Sequence, residues 1–200
     1  MRKFLDLGLK QIEKILQEMG STVLECINSL ENIFEGGSDS IEDNSSKLHI
    51  LRDELVEIAT ELLVRYQPMA SDLRYIQASI DVSYDLYRVS RYAMEIERAL
   101  KITGASCEFR KSKQAFGIVR EMIELALRAF LERDEVSTGR LLELDKKVDE
   151  LYITSIEELK ENLDICKAVE ALILRHLERM SDHAKYIGRA AVYVREGKRT

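Results

Sequence analysis

The stretch "LILRHLERMSDHAKYIG", residues 172–188, sets two carboxylates, Glu178 and Asp182, four residues apart. Its apolar residues Leu172, Ile173, Leu177, Met180, Ala184 and Ile187 recur at three- and four-residue steps, the period of a helix with one apolar face. At about 100° per residue the two acids stack one above the other on a different face. A second pair with the same spacing, Asp145 and Asp149, precedes it. Like charges at this spacing destabilise an isolated helix, so four of them converging from neighbouring helices would gain from a cation. Oxygen donors without cysteine suit magnesium, calcium, manganese or ferric iron better than a structural zinc. His183 could add a nitrogen, although its angle sets it nearer the apolar stripe, while His176 lies within that stripe and reads as a hydrogen-bonded core histidine. The plainer reading is a solvated acidic face neutralised by Lys146, Lys147, Arg179 and Lys185. From the residues alone both readings stand, and the carboxylates off the stripe are expected to be exposed.

The elements that must position these groups are helical. One proline and nine glycines in 200 residues leave little punctuation, and strict alternation of apolar and polar residues is nowhere sustained. Ile12, Ile15, Leu16, Met19, Val23, Cys26, Ile27, Leu30 and Phe34 trace a first stripe, ended by Gly36-Gly37. Leu48, Leu51, Leu55, Ile58 and Leu62 trace a second, stopped before Pro68 in "QPMASDLR". A third helix is expected from Ser71-Asp72, both good N-caps, to about Ile102. Tyr75, Tyr84, Tyr87 and Tyr92 all fall on it and read as half-core residues at a bundle seam.

The pattern then starts again. Val119, Ile123, Ala126 and Phe130 follow Val23, Ile27, Leu30 and Phe34 at an offset of 96, and Leu144, Asp149, Glu150 and Leu151 follow Leu48, Asp53, Glu54 and Leu55 at the same offset. In the third helix the offset is 91, which carries Arg88, Ser90 and Ala93 onto Arg179, Ser181 and Ala184. The expectation is a duplication: an all-α chain of six helices as two tandem three-helix bundles, residues 1–103 and 104–200, with Asp53 equivalent to Asp149 and Arg88 to Arg179.

Composition narrows the function. A formal net charge of −6 argues against a nucleic-acid backbone binder. Cys26, Cys107 and Cys166 are scattered and form no C-x-x-C pair, so they read as reduced thiols of a cytoplasmic protein. Charged residues interrupt the N-terminal "MRKFLDLGLKQIEKIL", which fits no signal peptide. An enzyme of the carboxylate-bridged dimetal class would need Glu-x-x-His motifs, and none occurs. Catalysis is therefore not expected.

"QPMASDLR" (67–74), "LDKKVDELY" (144–152) and "LERMSDHA" (177–184), in this order, resemble the hallmark segments of the PhoU family. The resemblance spans nearly the whole chain and implies tandem three-helix repeats, spectrin-repeat-like in how the halves repeat. It also implies a cytoplasmic negative regulator of phosphate uptake and phosphate-responsive signalling. The implied partners are phosphate ABC transporter components, a PstB-like ATPase among them, and a PhoR-like sensor kinase; a homodimer is also allowed. The family's acidic motifs, associated with iron or zinc clusters, carry over onto Asp145, Asp149, Glu178 and Asp182. The first copy offers only His49 with Asp53, and Tyr87 with Arg91, where a fixed cation replaces an acid and is expected to neutralise the local acids. The alternative is a helical scaffold, or a regulator of another transporter or channel, without metal.

Overall fold

The computed structural model describes residues 2–132, 138–162 and 164–198. Among them the chain forms six α-helices and no strand: α1 (Arg2–Phe34), α2 (Glu42–Tyr66), α3 (Ala70–Thr103), α4 (Arg110–Leu131), α5 (Thr138–Glu161) and α6 (Ile165–Glu196). The breaks fall where backbone chemistry demands them. Gly36, Gly104 and Gly197 take the left-handed conformation after α1, α3 and α6. The Asp164 side chain caps α6 by accepting from the backbone N–H of Lys167 at 2.9 Å. At the Pro68 corner the expected Ser71-Asp72 cap is not formed. Gln67 and Ala70 turn left-handed there, and α3 starts at Ala70. Asp72 thus lies inside the first turn, where it takes the Arg2 guanidinium at 2.5 Å.

Helices α1–α3 form one bundle and α4–α6 the other, joined by packing of α3 on α6 and α1 on α4. One core of buried apolar residues runs through both bundles. Ile12, Leu16, Leu30, Leu55, Ile76 and Leu86 are among its fully buried members, each contributing about 1.5–3 kcal/mol. Leu172, read as part of the α6 stripe, is 44% exposed, and Leu174 holds the buried position instead. Gly188 lets α6 lie close on α5, since a Cβ there would stand 2.3 Å from Leu141 Cδ1. No helix among the described residues is long and apolar enough to cross a membrane.

The duplication is present, but its register differs from the expected one. Ile12, Leu16, Met19, Val23, Ile27 and Leu30 of α1 are buried, and so are the residues 100 further on: Ser112, Phe116, Val119, Ile123, Leu127 and Phe130. In the same way Ile41, Ser45, Leu48 and Leu55 map onto Leu141, Asp145, Val148 and Ser155, all buried. An offset of 96 would set buried Leu51 on exposed Lys147. The 91 offset holds between α3 and α6, where Val82, Leu86, Val89, Ala93 and Ile96 become Ile173, Leu177, Met180, Ala184 and Ile187, again all buried. Arg88 therefore matches Arg179 as expected, whereas Asp149 matches His49 and Asp145 matches Ser45. Four residues differ from a whole turn by only about 40°, so apolar stripes align in either register and burial decides between them.

Two cysteines also depart from expectation. Cys107 and Cys166 are joined in a disulfide that ties the α3–α4 connection to the first turn of α6. Fifty-nine residues separate them, and only the fold brings them together. Cys26 is free and buried, and burial pushes its thiol up to about 12.

Candidate functional site

The four predicted carboxylates meet along the seam between α5 and α6, threaded by basic groups. Lys185 Nζ reaches Asp145 Oδ2 at 2.5 Å and Asp182 Oδ1 at 3.0 Å, bridging the two helices. Ser181 Oγ donates to Asp145 Oδ1 at 2.9 Å. Arg179 lies 3.2 Å from Asp182 and 3.4 Å from Glu178, and Arg175 lies 2.7 Å from Glu178. Asp149 makes no salt bridge among the described residues but feels the charges of Asp145 and Asp182.

This seam is less exposed than the sequence suggested. Asp145 is buried, and the side chains of Glu178 and Asp182 are 14% and 18% exposed. Glu178 and Asp182 sit off the apolar stripe of α6 yet are largely covered, and Asp145 lies on the buried face of α5 itself, between Leu141 and Val148. Burial raises the Asp149 carboxyl above the usual carboxylate range, and the neighbouring Asp145 charge adds to it. Burial raises Glu178 too, against the pull of Arg175 and Arg179. Burial works to lower Lys185, but its hydrogen bonds to Asp145 and Asp182 outweigh that and hold the ammonium above its ordinary value.

Do these residues fit a metal ion? Their oxygens suit a hard cation by donor chemistry. Their arrangement does not, because Lys185 already stands between Asp145 and Asp182 and two guanidinium groups occupy Glu178 and Asp182. Among the described residues no three groups of ligand type are placed to hold one ion. The seam is an ion-pair lattice whose cation is a lysine.

The histidines go elsewhere. His183 turns away from Asp182 and sets Nδ1 2.7 Å from Asp85 Oδ1 on α3, linking the two bundles. Burial raises Asp85 against that hydrogen bond. His176 is not the hydrogen-bonded core residue expected: its Nδ1 is buried with no partner, its ring leans on Tyr92, and burial lowers its pKa. In the first bundle His49 and Asp53 lie 3.6 Å apart and half exposed, and His49 stacks on Tyr87 at 5.3 Å. Arg52, not Arg91, neutralises Asp53, at 3.2 Å, while Arg91 turns to Glu95 at 3.6 Å. The Asp85–His183 link escaped sequence reasoning because it crosses 98 residues and the bundle interface. An acid at a buried position of the α3 stripe, one residue before Leu86, was its one visible trace.

Two like three-helix bundles sharing one core, with charged and aromatic seams between their second and third helices, define a tandem-repeat helical protein. The PhoU domain model matches residues 12–100 and 113–191, one copy per bundle, and the chain belongs to the PhoU family. A protein of Synechocystis sp. is 28% identical over 211 residues, covering 99% of this chain and 94% of its own length. One from Thermotoga maritima is 27% identical over 94% of this chain and 85% of its own. Both bear the name phosphate-specific transport system accessory protein PhoU homolog. The crystal structure of PhoU from Pseudomonas aeruginosa superposes with a TM-score of 0.82 at 24% identity, covering 96% of this chain and 99% of that one. PhoU from Streptococcus pneumoniae gives 0.79 at 20%, covering 98% and 99%. At such identities these two matches speak for the fold alone.

Proposed function

We propose that this chain is an accessory regulator of phosphate transport that docks on the cytoplasmic side of a phosphate ABC transporter and lowers uptake. The observation that carries the reading is the pair of PhoU domain matches over both bundles, alongside full-length relatives named as accessory proteins of phosphate transport. The chain acts by binding rather than by catalysis, and in its acidic seam Asp145, Glu178 and Asp182 are each paired with a lysine or arginine. In this reading the α5–α6 lattice stiffens the second bundle and needs no resident ion. The test is capture of the tagged chain from its host, with phosphate uptake measured on deletion. A transporter ATPase or a sensor kinase in the captured set, with uptake raised in the deletion strain, is the expected result. Recovery of a different transporter or channel, with phosphate uptake unchanged, would replace this reading with the scaffold alternative.

A further inference from the structure

Arg52 of α2, the first half of α3 and the last turns of α6 line a cleft of about 520 Å3, a size usual for small-molecule sites. Three observations say what it suits. Arg52 lines it with its guanidinium 5.6 Å over the Tyr84 ring and Nη1 on Asp53, but Nε is buried and has no acceptor. Nε is covered by protein, so what Arg52 offers the cleft is the exposed part of its side chain, 31% of it, whose charge favours an anion there. Arg189 of α6 also lines it, is exposed and makes no salt bridge among the described residues, so two arginines border one space. Paired guanidinium forks match phosphate oxygens.

The third observation is aromatic. Tyr84 and Tyr186, 46% and 43% exposed, both line the cleft. Each meets the buried His183 ring edge-on, at 6.2 and 5.8 Å, so one anchored imidazole fixes both rings on the same stretch of wall. Exposed, immobilised rings are platforms for a planar base. Asp81, exposed beside them, can accept from sugar hydroxyls, while Asp85 is engaged by His183. We infer that the cleft binds a nucleoside 5′-monophosphate, its phosphate on Arg52 and Arg189 and its base against Tyr84 and Tyr186. Inorganic phosphate alone would leave the aromatic wall and most of the volume unused.

This site goes beyond the transporter reading and is tested without it, by titration calorimetry on the full chain. AMP, GMP and UMP are the probes, with the matching nucleoside and inorganic phosphate as controls. At least one nucleotide should bind one to one with a Kd below about 1 mM, and each control about tenfold more weakly. Arg52→Gln and Arg189→Gln should each weaken the nucleotide about tenfold, and Tyr186→Ala by a similar factor. Arg189 and Tyr186 are exposed, so their variants decide the matter if Arg52→Gln disturbs folding, which circular dichroism detects. Any of three results overturns the assignment: no heat with all three nucleotides at 1 mM, unchanged affinity in Arg189→Gln, or inorganic phosphate binding as tightly as the nucleotide.

Discussion

The two bundles close the same seam, second helix on third, with different chemistry at matched positions. Ser45 meets Ser90 at 3.2 Å in the first bundle, where Asp145 meets Ser181 in the second. His49 stacks on Tyr87, where Asp149 faces the charge of Glu178. Arg52 lies over Tyr84 at 5.6 Å; in the second bundle the pair is reversed, with Arg175 over Tyr152 at 5.4 Å. Arg91 touches the Met94 sulfur at 3.8 Å, and at the same two positions Asp182 holds Lys185. The buried apolar positions set how the helices lie, and the polar pairs between them are free to exchange. Once the second seam became acidic it required a cation, and it carries its own at the position of Met94.

The largest expected effect comes from the feature the first bundle lacks. Removing the Cys107–Cys166 bridge, by Cys107→Ser/Cys166→Ser or by a dithiol, frees a loop of 59 residues, worth about 4 kcal/mol by chain entropy. The melting temperature should fall by roughly 10 °C. An unchanged melt under reduction would show that the bridge adds nothing to the second bundle.

Next comes the lysine. Lys185→Met, which installs the first bundle's residue, strands Asp145, leaves Asp182 to Arg179 alone, and should cost about 3 kcal/mol in denaturant unfolding. Adding Asp145→Ser, again the first bundle's residue, should recover much of that loss; no recovery would mean that the seams are not exchangeable. The pH sign follows from the raised ammonium. A raised folded-state pKa gives stability that is full below the unfolded value and is lost as pH rises through the folded one. The gap between wild type and Lys185→Met should therefore persist through neutral pH and close in the alkaline range.

Asp149 should act the other way. Its carboxyl is raised in the fold, so ionisation works against folding as pH climbs through the folded-state value. Asp149→Asn should stabilise by about 0.5 kcal/mol at pH 7, and the gain should vanish in acid, where the native group is already protonated. A loss at pH 7 would show that Asp149 has a partner worth keeping. The smallest effects belong to the reversed pairs: double-mutant cycles on Arg52/Tyr84 and Arg175/Tyr152 should each give coupling of about 0.5–1 kcal/mol. Strongly unequal couplings would break the equivalence on which the comparison rests.

Much of this was legible in the sequence. Helical periodicity and the Gly36 and Gly104 breaks read directly, because stripes and left-handed caps are local properties. The register of the repeat was not, since Leu48 fits both Leu144 and Val148, each apolar and buried. Only positions such as Leu51, which falls on exposed Lys147 in one register and half-buried Leu151 in the other, separate the two. The four acids were found from spacing, yet their company was not. Lys185 and Asp182 stand three residues apart, but the bridge from Lys185 to Asp145 crosses 40 residues. The disulfide and the Asp85–His183 link were hidden for the same reason: each joins residues far apart in the chain, 59 and 98 positions, whose pairing only the fold decides.

The claim that the second seam supplies its own cation is tested most directly by metal content. The chain would be purified from its host without chelator and analysed by plasma mass spectrometry, beside Lys185→Met and Glu178→Ala/Asp182→Ala. Wild type should carry only substoichiometric iron, zinc or manganese, and its melt should not change with chelator. Lys185→Met should be stabilised by added divalent cation, because Asp145 then has no cation and Asp182 only Arg179. Stoichiometric iron or zinc in the wild type, lost in Glu178→Ala/Asp182→Ala, would contradict the account and restore the seam as a metal site.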